Sequence, residues 1–216
     1  MAKTDDAELK AKVLAAALPH AAFDGFTDKT LAAAGKEAGA TKAALARLFP
    51  QGALSLVEAY SGDADAKMGE SLAAMDLKAM KIRARIAAAV TARIAALHPN
   101  KEAARRAAAF LSLPPHAPLG AKLVWRTVDA MWRAAGDTAT DFNFYTKRAI
   151  LAGVYTTTMA RWFTDTSEGE ADTAAFLAER IANVMAFEKF KAQAKEAASR
   201  LPSLADVLGA LNTRRG

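Results

Sequence analysis

The sequence predicts an all-α protein, on three observations. Long stretches rich in Ala, Leu, Lys, Arg and Glu dominate the chain, and these residues favour helix over strand. Pro and Gly cluster at a few points between the stretches, where they punctuate rather than interrupt. Within the stretches apolar residues recur at helical spacing.

The punctuation sets the elements in order. A first helix is expected from Ala7 to Leu18, closed by Pro19 and the Asp24-Gly25 turn. Asp28 is the expected cap of a second helix ending near Ala38-Gly39, where Gly supplies a left-handed terminus. Thr41 caps a third, short helix stopped by Pro50. Beyond Gly52 the helices lengthen: one to about Met75 with a soft spot at Gly62, then Lys78 to Leu97, then Lys101 to Ser112. After Pro114-Pro115-His116-Ala117-Pro118, a helix from Leu119 to Ala135 carries Val124, Val128, Met131 and Ala135 on one face. Tyr145 to Thr164 is apolar almost all round and should be central to the core, and a long helix follows from Gly169 to about Arg200. Leu204, Val207, Leu208 and Leu211 then share one face of a short amphipathic segment ending in Arg214 and Arg215. The expected divisions are a trihelical unit over 1–52, a larger helical domain over 53–200 and the amphipathic tail over 201–216.

Composition narrows function. With no Cys there are no disulfides, thiolate metal sites or cysteine nucleophiles. The net charge of +6 suits nucleic acid or an anionic membrane surface, but Asp and Glu are interspersed through most of the chain. No apolar window is long enough to span a bilayer, and the opening Met-Ala-Lys-Thr-Asp-Asp-Ala-Glu is too acidic for a signal or transit peptide. The expectation is a protein that is soluble or peripheral to a membrane.

The turn Ala38-Gly39-Ala40-Thr41 between helices two and three has helix-turn-helix character, because the close backbones need Gly at positive φ. With Gly25-Phe26 before it and Leu45 and Phe49 after it, residues 9 to 57 resemble the DNA-binding end of TetR-type repressors. Three departures weaken the DNA reading. The phosphate-contacting Tyr of that family is Ala46 here, a Lys three residues after the Phe is Gly52, and an apolar-Ala pair is Ala34-Gly35. Phosphate contacts supply most of the affinity of such domains, so nucleic acid is disfavoured as a partner, with Lys42 and Arg47 the remaining candidates. A ligand-responsive repressor stays as the alternative function.

The run from Asp129 to Arg148, together with Leu18-Pro19-His20, Phe49-Pro50-Gln51-Gly52, the segment Trp125 to Phe163 and the tail ending in Arg214-Arg215, resembles the accessory lipid-binding proteins of ubiquinone (coenzyme Q) biosynthesis. That family has a TetR-like fold. The resemblance implies a TetR-like helical bundle with an N-terminal helix-turn-helix unit, a larger ligand domain and a terminal amphipathic helix. It further implies a non-catalytic, cofactor-free protein that binds an isoprenoid quinone precursor or phospholipid at a membrane surface and presents it to the di-iron demethoxyubiquinone hydroxylase. A homodimer is expected, located in the cytoplasm against the bacterial inner membrane or at the equivalent matrix-side membrane.

Candidate residues follow. Trp125, Val128, Met131, Trp132, Leu151, Val154, Tyr155, Met159 and Trp162 are candidates for an apolar pocket, and at this spacing they serve equally as plain core. Asp137, Thr138, Asp141 and Asn143 are short polar groups suited to a helix junction. Phe144 and Tyr145 are adjacent and cannot both face one core, so one should be exposed. The resemblance makes Phe144 and Tyr145, with Asp137, Thr138, Asp141, Lys147 and Arg148, the candidate partner face. Leu204, Val207, Leu208, Leu211, Arg214 and Arg215 are candidates for the membrane, or for docking onto the body or a second subunit.

Enzyme chemistry finds no purchase. Di-iron bundles need Glu-x-x-His pairs, and none of His20, His98 and His116 has Glu three residues before it. Phosphate-binding Gly-rich loops and the Gly-x-Ser-x-Gly elbow are absent as well. His98 and His116, each beside Pro in an expected loop, read as surface residues.

Overall fold

The computed structural model describes residues 2–199, with side chains over residues 5–186. Every regular element among these is helical: α1 Ala2–Asp24, α2 Asp28–Glu37, α3 Lys42–Leu48, α4 Ala53–Ala73, α5 Ile82–Leu97, α6 Lys101–Ser112, α7 Ala117–Ala134, α8 Phe142–Phe163 and α9 Ala171–Ser199. The chain forms two compact units, Met1–Leu177 and Ala178–Gly216. The first holds α1 to α8 and the start of α9, and the second holds the remainder of α9. Among the described residues, no helix is long and apolar enough to cross a membrane. The tail from Leu204 to Arg215 lies outside the described residues.

Helix α1 does not stop at Pro19, which sits inside it. The missing N–H of Pro19 is outweighed by tertiary burial of Val13, Leu14, Ala17, Leu18 and Ala21 along one face. The stop is Gly25, at φ +74°, whose N–H reaches the Ala21 carbonyl at 3.1 Å. The cap of α2 is Thr27 rather than Asp28: Thr27 Oγ1 accepts from the Thr30 N–H at 3.0 Å. Asp28 sits one residue inside, and its Oδ1 accepts from the N–H of Ala53, the first residue of α4, at 2.9 Å.

The α2–α3 turn forms as expected. Gly39 takes φ +70°, the Ala40 N–H bonds the Gly35 carbonyl at 2.8 Å and the Gly39 N–H bonds Lys36 at 3.2 Å, a Schellman ending. Thr41 Oγ1 accepts from the Ala44 N–H at 3.1 Å. Gly35 is small because Leu45 packs on it: a Cβ there would lie 2.3 Å from Leu45 Cδ1. Helix α4 runs through Gly62 without a break and buries Leu56, Val57, Tyr60, Ala64, Met68 and Leu72. The Phe26 ring stacks on Tyr60 at 5.9 Å between centroids, joining the trihelical unit to the larger bundle.

Helix α7 begins two residues early because Pro118 needs no donor in a first turn. Helix α8 begins three residues early, at Phe142, where Asp141 Oδ1 accepts from the Asn143 N–H at 3.0 Å. His116 is not a plain surface residue. Its ring stacks on Phe110 at 4.0 Å and its Nδ1 lies 3.0 Å from the Phe110 carbonyl. Asp165 ties the end of α8 to the start of α9: Oδ1 accepts from Ser167 N and Oγ at 2.8 and 2.6 Å, and Oδ2 from Thr173 N and Oγ1 at 2.7 and 2.5 Å. Hydrogen bonds from the Ser167 and Thr173 hydroxyls hold its carboxyl far below the ordinary value.

Candidate functional site

Helices α4, α5, α6, α7 and α8 line a cavity of about 570 Å³ that opens to solvent. Alanines make the room: Ala104, Ala107 and Ala108 of α6 present only methyl groups to it. Leu97, Leu123, Met159 and Phe163 give the wall its apolar character. A volume of this size falls within the range of small-molecule sites.

Of the nine residues expected to line a pocket, Tyr155 and Met159 do so. Val128, Met131, Leu151, Val154 and Trp162 are buried in the surrounding core instead. Trp132 is half-buried, its Nε1 donating to the Lys147 carbonyl at 3.1 Å. Trp125 reaches the surface, 37% exposed. Helical periodicity finds the inward face of α7 and α8 but does not say which inward residues meet space and which meet other side chains.

Sequence reasoning missed Arg93, which lines the cavity and is 3% exposed. Its Nη2 donates to the Ser61 carbonyl at 3.3 Å and to Ser61 Oγ at 3.2 Å, and its Nε faces Asp65 Oδ1 at 3.1 Å. A signal was present, since Arg93 falls at the helical spacing of Ile86, Ala89, Val90 and Leu97, the apolar face of α5. Tyr60 and Thr127 complete the buried polar part of the wall. Thr127 Oγ1 donates to Asp65 Oδ1 at 2.8 Å and the Tyr60 hydroxyl to the Asn100 carbonyl at 3.3 Å. Burial pushes the Tyr60 and Tyr155 hydroxyls above the ordinary tyrosine value, so both remain donors at neutral pH.

A second feature lies where α7 meets α8. Tyr145 is 60% exposed while Phe144 is half-buried, the division that their adjacency requires. Trp125 joins them, with ring centroids 6.3 Å from Phe144 and 6.2 Å from Tyr145, and the Phe144 and Tyr145 rings meet edge to face at 5.1 Å. Phe142, not singled out in the sequence, is 81% exposed in the first turn of α8. Thr138 and Asp141 are exposed beside this aromatic surface.

Arg148 and Asp137 lie beneath that face rather than on it. Arg148 is 1% exposed; its Nε donates to Asp129 Oδ1 at 2.7 Å, and its Nη1 to Asp137 Oδ2 and the Phe144 carbonyl at 3.1 Å each. The guanidinium also covers the Phe144 ring, 3.5 Å from its centroid. Lys147 Nζ donates to Asp137 Oδ1 at 2.7 Å and lies 5.5 Å above the Trp132 ring centre. A buried guanidinium needs such partners, and the α7–α8 junction supplies two carboxylates. The ion pairs thus hold the backbone from which Phe144 and Tyr145 project. Among the described residues, no group of His, Cys, Asp or Glu side chains is arranged to hold a metal ion.

A family model described as COQ9 matches residues 117–188, the span of α7, α8 and the first part of α9. The mitochondrial ubiquinone biosynthesis protein COQ9 of Bos taurus is 32% identical over 185 residues, 82% of this chain and 58% of that protein. The Homo sapiens protein of the same name is 31% identical over 185 residues, with the same coverage of 82% and 58%. The Xenopus tropicalis protein is 40% identical over 97 residues, 45% of this chain and 31% of that one. This chain therefore spans less than two thirds of the length of these curated relatives. Among solved structures, a TetR transcriptional regulator from Nitrosomonas europaea superposes with a TM-score of 0.65 at 18% identity, covering 81% of this chain and 97% of that one. At that identity the likeness concerns the fold, and the fold is TetR-like.

Proposed function

We propose, from the match of residues 117–188 to the COQ9 family model and the alignment of 82% of the chain with the Bos taurus COQ9 protein, that this chain is a non-catalytic accessory protein of ubiquinone biosynthesis. In this reading it holds an isoprenoid quinone precursor between its helices and presents it to the di-iron hydroxylase of demethoxyubiquinone. The observation that carries the reading is the cavity of about 570 Å³, walled by the methyl groups of α6 and the apolar faces of α7 and α8. The exposed aromatic face of Trp125, Phe142 and Tyr145 gives the partner a surface of the kind that anchors protein interfaces. Membrane attachment is assigned to the amphipathic segment of Leu204, Val207, Leu208 and Leu211 with Arg214 and Arg215.

The repressor alternative draws on the fold and on exposed Lys42, but other parts of the phosphate-facing side are engaged within the chain. Arg47 is ion-paired with Asp6 of α1, and the Asp28 carboxylate occupies the N-terminus of α4. The test is mass spectrometry of lipids extracted from the purified protein, beside the variant Ala108→Phe, which narrows the cavity at an exposed wall position. Co-purifying isoprenoid that is depleted in the variant is expected. A lipid-free wild-type protein sinks the reading.

A further inference from the structure

Building on the lipid-cavity reading above, we propose that Arg93 selects the ligand by its head: the cavity takes an apolar chain that carries an oxygen acceptor, and that oxygen hydrogen-bonds the Arg93 guanidinium. A guanidinium has five N–H donors and no means of discharging its charge, so in an apolar wall each unmatched donor is costly. The Nη2 donors of Arg93 are spent on Ser61, but Nη1 is buried without a hydrogen-bond partner in the protein, and Nε faces Asp65 without one.

The local charge is also incompletely matched. Asp65 is shared between Arg93 Nε at 3.1 Å and Arg126 Nε at 3.3 Å, while its Oδ1 also accepts from Thr127. The other carboxylate near Arg126, Glu58, is itself bonded to Lys122 at 2.9 Å. Two guanidinium groups therefore share one largely buried carboxylate, 12% exposed. An oxygen bearing partial or full negative charge at this part of the wall supplies what the protein does not.

The wall has a polarity gradient that orients the ligand. Tyr60, Arg93, Thr127 and Tyr155 are buried, whereas Ala108, Ala109, Thr156 and Ala160 are exposed where the cavity meets solvent. The Tyr60 and Thr127 hydroxyls are already committed to Asn100 and Asp65, and the Tyr155 hydroxyl lies against Arg93, so the donors to be met are the guanidinium and the Tyr155 hydroxyl beside it. The oxygenated end thus sits against α5, and the chain runs along the Ala-rich surface of α6. Quinone carbonyls and carboxylates both fit this chemistry; an unfunctionalised hydrocarbon does not.

Three probes sharing one chain separate the cases: a farnesylated benzoquinone, farnesoate and farnesene, each titrated against the full chain by displacement of a fluorescent lipid. Hydrogen bonding to a charged donor implies at least a roughly tenfold preference for the quinone or the acid over farnesene. Arg93→Met, which retains length and apolar contact, should level the three. Where that variant does not fold, Arg93→Met with Asp65→Asn removes both charges together, the form of substitution that buried ion pairs tolerate better. Quinone above farnesoate identifies a carbonyl head, and the reverse a carboxylate, each with the Arg93 dependence that the proposal requires. Equal binding of all three probes, or an unchanged preference in the variants, overturns the Arg93 assignment and leaves the lipid-cavity reading standing. Failure of every probe to bind overturns both.

Discussion

Arg148→Met is the sharpest perturbation of the α7–α8 junction. The substitution preserves an unbranched apolar stem but removes a guanidinium that is bonded to Asp129, Asp137 and the Phe144 carbonyl and lies 3.5 Å from the Phe144 ring centroid. Removing one partner of a buried ion pair costs about 3–5 kcal/mol, because the remaining charge is left uncompensated. Here neither acid is stranded: Asp129 keeps Arg133 at 2.6 Å and Asp137 keeps Lys147 at 2.7 Å. The lower end therefore applies, a loss of about 3 kcal/mol, equivalent to a fall of roughly 6–12 °C in melting temperature for a chain of this size. Urea denaturation followed by tryptophan fluorescence reads this directly.

The pH dependence gives an independent check. Burial alone would raise the Asp129 and Asp137 carboxyls, but hydrogen bonds from Arg148 and Arg133 on the first, and from Lys147 and Arg148 on the second, outweigh it and hold both below the ordinary value. A carboxyl depressed in the folded state adds stability above its unfolded value of about 3.9, and that stability is lost as pH falls through the folded value. Arg148→Met should therefore shrink the stability difference between neutral and acid conditions as well as the stability at neutral pH. A loss under about 1 kcal/mol with an unchanged acid profile would refute the ion-pair account of this junction.

Two further outcomes can be checked on the same protein. Phe142→Ala with Tyr145→Ala removes exposed rings, so stability should stay within about 0.5 kcal/mol per site while retention of the hydroxylase on immobilised protein falls; retained binding at wild-type strength dismisses the aromatic face. Gly52→Lys restores the residue type found in DNA-binding relatives of the fold, but Gly52 has φ +57° and a Cβ there would lie 2.1 Å from Asp28 Oδ1. A destabilisation of about 1–3 kcal/mol is expected from the strained backbone, measured by thermal unfolding, and a neutral result would show that the loop relaxes.

Helix existence was legible because the signals are local. Gly39, Thr41, Pro50 and Pro114-Pro115 act on their own neighbours, and the structure places helix breaks where they stand. Pro19 misled because a local rule met non-local burial: five buried residues on one face of α1 carry the helix past it. Thr27 displaced Asp28 as cap because Asp28 has a partner 25 residues away, in α4. The same limit hid the roles of Asp137 and Arg148. Their type suggests a surface, and only pairing across 11 residues, with Asp129 a further arm 19 residues from Arg148, shows why they are inside. Arg93 was the opposite case, a charge at an apolar helical position whose spacing could have drawn notice.

The helix-turn-helix gains a physical role once its engaged surfaces are set beside the cavity. A helix N-terminus attracts anions, and at α4 that place is taken by the Asp28 carboxylate, whose negative charge works against an incoming phosphate. Arg47, a remaining candidate for phosphate, is ion-paired with Asp6. On the other side of the unit, buried Phe26 stacks on Tyr60, and Tyr60 is part of the cavity wall, with its hydroxyl held on the Asn100 carbonyl. The turn that lets α2 and α3 pack therefore also fixes Phe26 behind a residue of the cavity wall. Such a contact would let ligand binding move the recognition helix in a repressor. With Arg47 and the N-terminus of α4 engaged within the chain, it braces the wall of the cavity.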